Sequence, residues 1–196
     1  RVQTELSEMF PDMATDRMDT DTVNAANTHQ QILDRFRDEK TPVLIGTQMV
    51  AKGLDFPNVT LVGVLGADSA MYSEDFRGFE RTFSLLTQVV GRAGRGNLAG
   101  RAIVQTITPE SNLIELAKNQ DYDSFYEEEI LTRKLMVYPP YCDICVVNSY
   151  SFSKENAENV INDVFSNIKK LIEKKYSAVK LIILGPTASS IPKVNN

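Results

Sequence analysis

The sequence has little of what several classes of protein require. Its 196 residues include two cysteines, Cys142 and Cys145, and one histidine. That is too few for a disulfide framework or for a four-ligand zinc site built from this segment alone. No apolar run approaches the ~20 residues that a membrane span needs. The opening residues, RVQTELSEMF, are charged and amphipathic, so no signal peptide is expected in them. The glycine-rich stretch Gly91-x-x-Gly94-x-Gly96 is not followed by Gly-Lys-Ser/Thr, so it is not a Walker A loop. Bases are also short, with 21 Lys and Arg against 26 Asp and Glu and a net charge of −5. This balance argues against a whole surface devoted to nucleic acid, but leaves a local basic site open.

What is present is ordinary globular material. Hydrophobic residues make up 42% of the chain, enough for a real core, and the length suits one domain or one domain plus part of another. Acids crowd residues 5–39 and 110–129 and recur more thinly after Asp143. Residues 81–101 instead carry Arg81, Arg92, Arg95 and Arg101 and no acid. An arginine window in an acidic chain is a candidate anion site, with a solvated helix face as the alternative.

Periodicity gives the order of elements. Val2, Leu6, Met9 and Phe10 form one stripe of a helix closed by Pro11, with an extended piece at Ala14–Met18. This first helix has neither a cap nor an initial Met, so the chain is expected to begin inside a larger protein. A helix is predicted over Asn24–Glu39, with His29 facing solvent, and Val43–Ile45 forms a brief buried strand. Val59–Leu65 reads as a strand covered on both faces. A polar loop over residues 66–78 follows, then a helix over Phe79–Ala93, a strand over Arg101–Ile107 and helices at Ser111–Lys118 and Asp121–Met136. This alternation implies an α/β fold with a parallel sheet and covering helices.

Pro139-Pro140 marks a boundary between residues 1–138 and 139–196. Beyond it, strands are predicted at Asp143–Phe152 and Val179–Leu184, around an amphipathic helix over 154–175. Two strands are too few to stand alone comfortably, so this α+β piece is expected to be truncated. Cys142 and Cys145 are expected as buried thiols on its first strand. Arg77 and Arg81 flank Glu80 as surface ion pairs, while Tyr72 and Phe76 suit a partner contact or a lid.

The most informative segment is Gln88-Val89-Val90-Gly91-Arg92-Ala93-Gly94-Arg95. On a helix, Gln88, Arg92 and Arg95 fall within roughly 60° of one another. Leu86, Val89, Val90 and Ala93 take the opposite, core-facing side. Gly91 and Gly94 clear space for close approach to the backbone. Two convergent guanidiniums suit a polyanion such as a triphosphate, because each offers a planar fork of donors. The alternative is a surface helix ending on a glycine cap. Upstream, Thr47 and Gln48 end a strand where an α/β sheet places its ligand crevice, and Lys52 reads either as a phosphate contact or as an exposed residue beside Gly53.

The pattern Q-x-x-G-R-x-G-R resembles motif VI of superfamily 2 helicases and translocases, and Gly46–Val62 (GTQMVAKGLDFPNVTLV) resembles their motif V. The fuller wording, with YSEDFR, LLTQVVGRAGRG and the Tyr138-Pro139-Pro140-Tyr141 junction, resembles the PriA family of primosomal replication-restart helicases across most of the chain. That resemblance implies a RecA-like second motor lobe, with helices on both faces of a parallel sheet, followed by part of a C-terminal domain.

It further implies that Arg92 and Arg95 reach an ATP held by the first lobe, one or both as arginine fingers, while Gln88 positions the γ-phosphate or the attacking water. Gly53, Asp55 and Gly91 would lie against the nucleotide, and Thr47, Gln48 and Lys52 against the DNA backbone. A Walker A sequence, a DEXH box and zinc-binding cysteine pairs belong to preceding parts of that family. ATP with Mg2+, and zinc, are therefore expected in the full-length protein, and no metal in this segment, which alone should be inactive. Implied partners are single-stranded and forked DNA, primosome and single-strand-binding proteins, and the first lobe. The implied setting is the bacterial cytoplasm, at the nucleoid. The rivals are another superfamily 2 motor, acting on RNA or as a remodelling translocase, and a non-catalytic binding module.

Overall fold

The computed structural model describes residues 1–18, 26–38, 40–47, 56, 58–73, 75–91 and 100–188. The chain divides into two units, residues 1–141 and 142–196. The first is α/β, built from two parallel strand pairs and their helices.

One pair joins β1 (Thr15–Met18) to β2 (Val43–Gly46), in register from Thr15 opposite Val43 to Met18 opposite Gly46. Parallel neighbours need a crossover of a dozen or more residues, and here it contains α2 (Ala26–Arg37). Met18, Ile32 and Leu33 are buried between them. Asp16 clasps the crossover. It accepts two hydrogen bonds from the Arg35 guanidinium, at 2.6 and 3.2 Å, and one from the Thr41 hydroxyl at 2.8 Å. The leading helix α1 (Val2–Met9) buries none of its residues.

The second pair joins β3 (Leu61–Val64) to β4 (Arg101–Val104). Amide bonds from Arg101 to Thr60 and from Gln105 to Val64, both 2.8 Å, extend the ladder at its two ends. Between these strands run a short helix α3 (Asp68–Met71), inside the segment expected to be loop, and α4 (Gly78–Val90). After β4 come α5 (Asn112–Asn119) and α6 (Tyr122–Met136). Val64 and Val104 pack on a core of Met71, Phe83, Leu86, Leu113, Ala117 and Phe125. The helices draw on this one face. Leu61 and Ile103, pointing the other way in the period-2 pleat, stay 59% and 58% exposed. The expectation that Val59–Leu65 is covered on both faces is thus corrected: β3 alternates like a half-covered strand.

The second unit holds α7 (Lys154–Lys175), capped by the Ser153 hydroxyl on the Asn156 amide. Its length matches the periodicity, but none of its residues is buried. Asp143–Phe152 and Val179–Leu184, predicted as strands, form no sheet here. Alternation supplies side chains for a pleated surface but not the hydrogen-bonding neighbour that makes a strand. Cys145 is consequently exposed and Cys142 half-buried, neither in a disulfide, which corrects the expected buried thiols.

Candidate functional site

Helix α4 carries the first part of the arginine-bearing motif. It starts at Gly78 because nothing larger fits there. An added Cβ would stand 2.8 Å from the Met71 carbonyl and 2.9 Å from that of Ala70. Thr82, buried, returns its hydroxyl to the Gly78 carbonyl at 2.9 Å, so this polar group enters the core satisfied. Leu86 and Val89 are buried and Val90 half-buried, as the helical spacing predicts. Gln88 lies on the last turn, half-buried, and donates to the Ser84 hydroxyl one turn back at 3.2 Å. Gly91 ends the helix with helical dihedrals, its amide bonded to the Thr87 carbonyl at 3.0 Å. A Cβ at Gly91 would come within 3.2 Å of that carbonyl and 3.5 Å of Gln120 Nε2. The closeness of these neighbours, rather than an unusual φ, makes glycine fit.

Thr47 is exposed immediately beyond the carboxyl end of β2, the end at which open parallel sheets bind ligands. Gln88 and Gly91 thus share one helix end, and Thr47 stands separately at a strand end. Gln48, Lys52, Gly53, Asp55, Arg92 and Arg95 lie outside the described residues, as does the His29 side chain. Phe56, which follows the first motif segment, meets Phe36 of α2 edge to face at 4.9 Å.

Several residues that sequence reasoning passed over prove structurally central. Asp68, four residues past β3, accepts from the Thr106 hydroxyl at 2.8 Å, the Ile107 amide at 3.0 Å and the Thr108 hydroxyl at 3.3 Å. It thereby joins the segments leaving β3 and β4. Burial opposes its charge, but those bonds outweigh burial and hold its carboxyl below the ordinary value. Arg77 and Arg81 both pair with Asp75, at 3.0 and 2.8 Å, rather than with Glu80. These contacts, led by the bonds from Arg77, depress the Asp75 carboxyl to about 2. Phe76 is not a free lid. Its ring lies 5.5 Å from Tyr138, and the Arg77 and Arg133 guanidiniums each stand 5.3 Å from its centroid. An acid following a strand and the Asp-Phe-Arg wording were the only local signals.

A hollow of about 200 Å³ opens around Phe79, Leu113 and Phe125, with Glu128 at its edge. It sits by the first turn of α4, at the opposite end from Gln88. Among the described residues, no three His, Cys, Asp or Glu side chains converge as metal ligands, and no helix is long and apolar enough to cross a membrane.

Residues 4–97 match the family described as the helicase conserved C-terminal domain. The chain carries a helicase C-terminal domain. It is similar over its whole length to replication restart protein PriA of Bacillus subtilis, at 41% identity, and over 99% of its length to that of Synechocystis, at 37%. The Chlamydia trachomatis protein of the same name is 46% identical over 72% of this chain. The chain spans about a quarter of the length of these relatives, 24% of the first and 23% of the second. It matches the C-terminal helicase portion of PriA, as its motif segments imply, and its α/β architecture is that of a RecA-like helicase lobe.

Proposed function

We propose that residues 1–138 are the second motor lobe, and residues 139–196 part of the adjoining domain, of an ATP-dependent DNA helicase of the PriA kind. The observation that carries this is the span of the helicase match: residues 4–97 include both motif segments and every candidate site residue from Thr47 to Arg95. The geometry of α4 is in keeping with it. One face of the helix is sunk in the core, and its last turn presents Gln88 beside Gly91, where an added Cβ would stand 3.2 Å from the Thr87 carbonyl.

In this reading the lobe completes a cleft with a first lobe of the same polypeptide. Arg92 and Arg95 reach the triphosphate there and stabilise the charge that develops as the γ-phosphoryl leaves. Gln88 orients the γ-phosphate or the attacking water, and Gly53, Asp55 and Gly91 line the nucleotide. Thr47, Gln48 and Lys52 hold the backbone of a single strand, contacts that carry no sequence preference, as a motor requires. ATP closes the cleft and hydrolysis releases it, so DNA and nucleotide affinities are coupled. Mg2+ comes with ATP on the first lobe and zinc sits in a preceding segment; no residue of this chain is assigned to either. The work done is the unwinding of forked DNA in the bacterial cytoplasm, at the nucleoid, where primosome and single-strand-binding proteins assemble to restart replication.

The test is DNA-stimulated ATP hydrolysis by a polypeptide of the relatives' full length that contains this chain. Arg92→Ala and Arg95→Ala are expected to lower turnover, at least one of them by roughly a thousandfold, with modest loss of DNA binding. Wild-type turnover in both would refute the finger assignment. The 196-residue chain alone should show no turnover above background.

A further inference from the structure

Helix α6 meets the first half of α4 through side-chain contacts. At the start of α4, Glu80 Oε2 accepts a 2.7 Å hydrogen bond from Arg133 Nη2, near the end of α6. One turn further along α4, the Phe83 ring stacks on that of Phe125, in the first turn of α6, 4.0 Å apart and within 6° of parallel. At the far end, Gly91 packs beside Gln120, at the turn leading into α6.

Arg133 is the hub of the first contact. Its side chain is only 15% exposed. Besides Glu80 it donates to Glu129 Oε1 at 2.8 Å and to the Pro139 carbonyl at 3.4 Å, and its guanidinium faces the Phe76 ring. An exposed ion pair contributes little, but this cation is sheltered, has several partners and stacks on an aromatic face, a combination that favours arginine over lysine. The turn beyond it is strained. Val137, β-branched, takes φ +55°, a left-handed conformation that such residues rarely adopt. A conformation of this kind persists where its surroundings enforce it. Here Tyr138 on Phe76 and the Pro139 carbonyl on Arg133 do so.

We propose that Arg133 is a positioning residue: through Glu80 and Phe76 it fixes the first turn of α4, and so the placement of Gln88 and Gly91 at the other end of that helix. A helix is stiff along its axis, so displacement at Glu80 reappears at Gln88. A misplacement of about 1 Å at a reacting centre can cost up to roughly a hundredfold in rate. The inference rests on the motor reading above.

The experiment is a double-mutant cycle on DNA-stimulated ATPase in the full-length polypeptide, with Arg133→Ala, Arg92→Ala and the pair, alongside thermal melting. Arg133→Ala is expected to lower kcat roughly tenfold with KM for ATP within about twofold, and to cost almost nothing further in the Arg92→Ala background. Arg133→Lys, retaining one ion pair but not the fork, should recover part of the loss, and Phe76→Leu should show a smaller loss of the same kind. These two variants decide the matter if Arg133→Ala does not fold. Losses that multiply in the pair, or unchanged kcat per folded molecule in all three single variants of Arg133 and Phe76, would overturn the proposal. If Arg92→Ala and Arg95→Ala keep full turnover, the motor reading itself fails. If they lose turnover while the Arg133 and Phe76 variants do not, only the positioning role fails.

Discussion

Helices α4 and α7 are both amphipathic, yet α4 buries Gly78, Thr82, Phe83, Leu86 and Val89 while α7 buries nothing. The sequence around each contains alternating, strand-like stretches. Beside α4 those stretches pair, β3 with β4, and present Val64 and Val104 as a floor. Beside α7 they stay unpaired, with Phe152 fully exposed and Leu184 89% exposed. The difference teaches that a hydrophobic stripe states a capacity for burial, and that a second surface has to meet it. Aromatic residues add to the contrast, since α4 and α6 exchange stacked rings whereas the α7 ring Phe165 faces the ammonium of Lys169 on its own helix.

Four measurements test this contrast. Amide exchange should separate the units most. The β4 and α4 amides should be protected roughly a thousandfold or more, as expected for a cooperative core, and those of 143–152 and 179–184 hardly at all. Strong protection in 143–152 would mean that the second unit builds a sheet after all. Core truncation comes next. Leu86→Ala should destabilise residues 1–141 by about 2–5 kcal/mol in urea unfolding, whereas Ile161→Ala on α7 should stay within ~0.5 kcal/mol. Gly78→Ala, forced against the Met71 and Ala70 carbonyls, should cost about 1–3 kcal/mol, and a neutral result would mean that the α3–α4 junction yields.

The smallest effect is electrostatic. The Asp75 carboxyl is held down to about 2 from its ordinary 3.8, so its contribution to stability is present above that ordinary value and is lost as pH falls toward 2. The stability difference between wild type and Asp75→Asn should therefore be constant near neutrality and shrink between about pH 4 and 2. A pH-independent difference would remove the ion pairs with Arg77 and Arg81 from the account.

The elements of the first unit were largely legible in the sequence because each rests on short-range spacing. The helix predicted over Phe79–Ala93 is observed from Gly78 to Val90, with Gly91 as its cap and the later residues outside the described set. The strand predicted to run to Ile107 leaves the ladder after Gln105, where Thr106, Ile107 and Thr108 turn their donors to Asp68. The Gln88 face of α4 was legible for the same short-range reason. Asp68, Asp75 and Arg133 were not. Asp68 meets partners about forty residues away and Arg133 meets Glu80 over a gap of 53. Asp75 outcompeted Glu80 for two arginines only because the turn at Phe76 brings them to it.

Short-range spacing accounts for the longer helices, the segments with strand-forming side chains, the place of Gln88 on its helix and the helicase motifs, but not for the short helix α3. These depend on spacing within a turn or a pleat, which the chain carries locally. The fold settled which stripes found cover, that β3 is packed on one face alone, that the Phe76 ring meets Tyr138 and two guanidiniums, and that Arg133 of α6 reaches Glu80 of α4. Those outcomes depend on surfaces contributed from tens of residues away, and local spacing does not encode whether such a surface arrives.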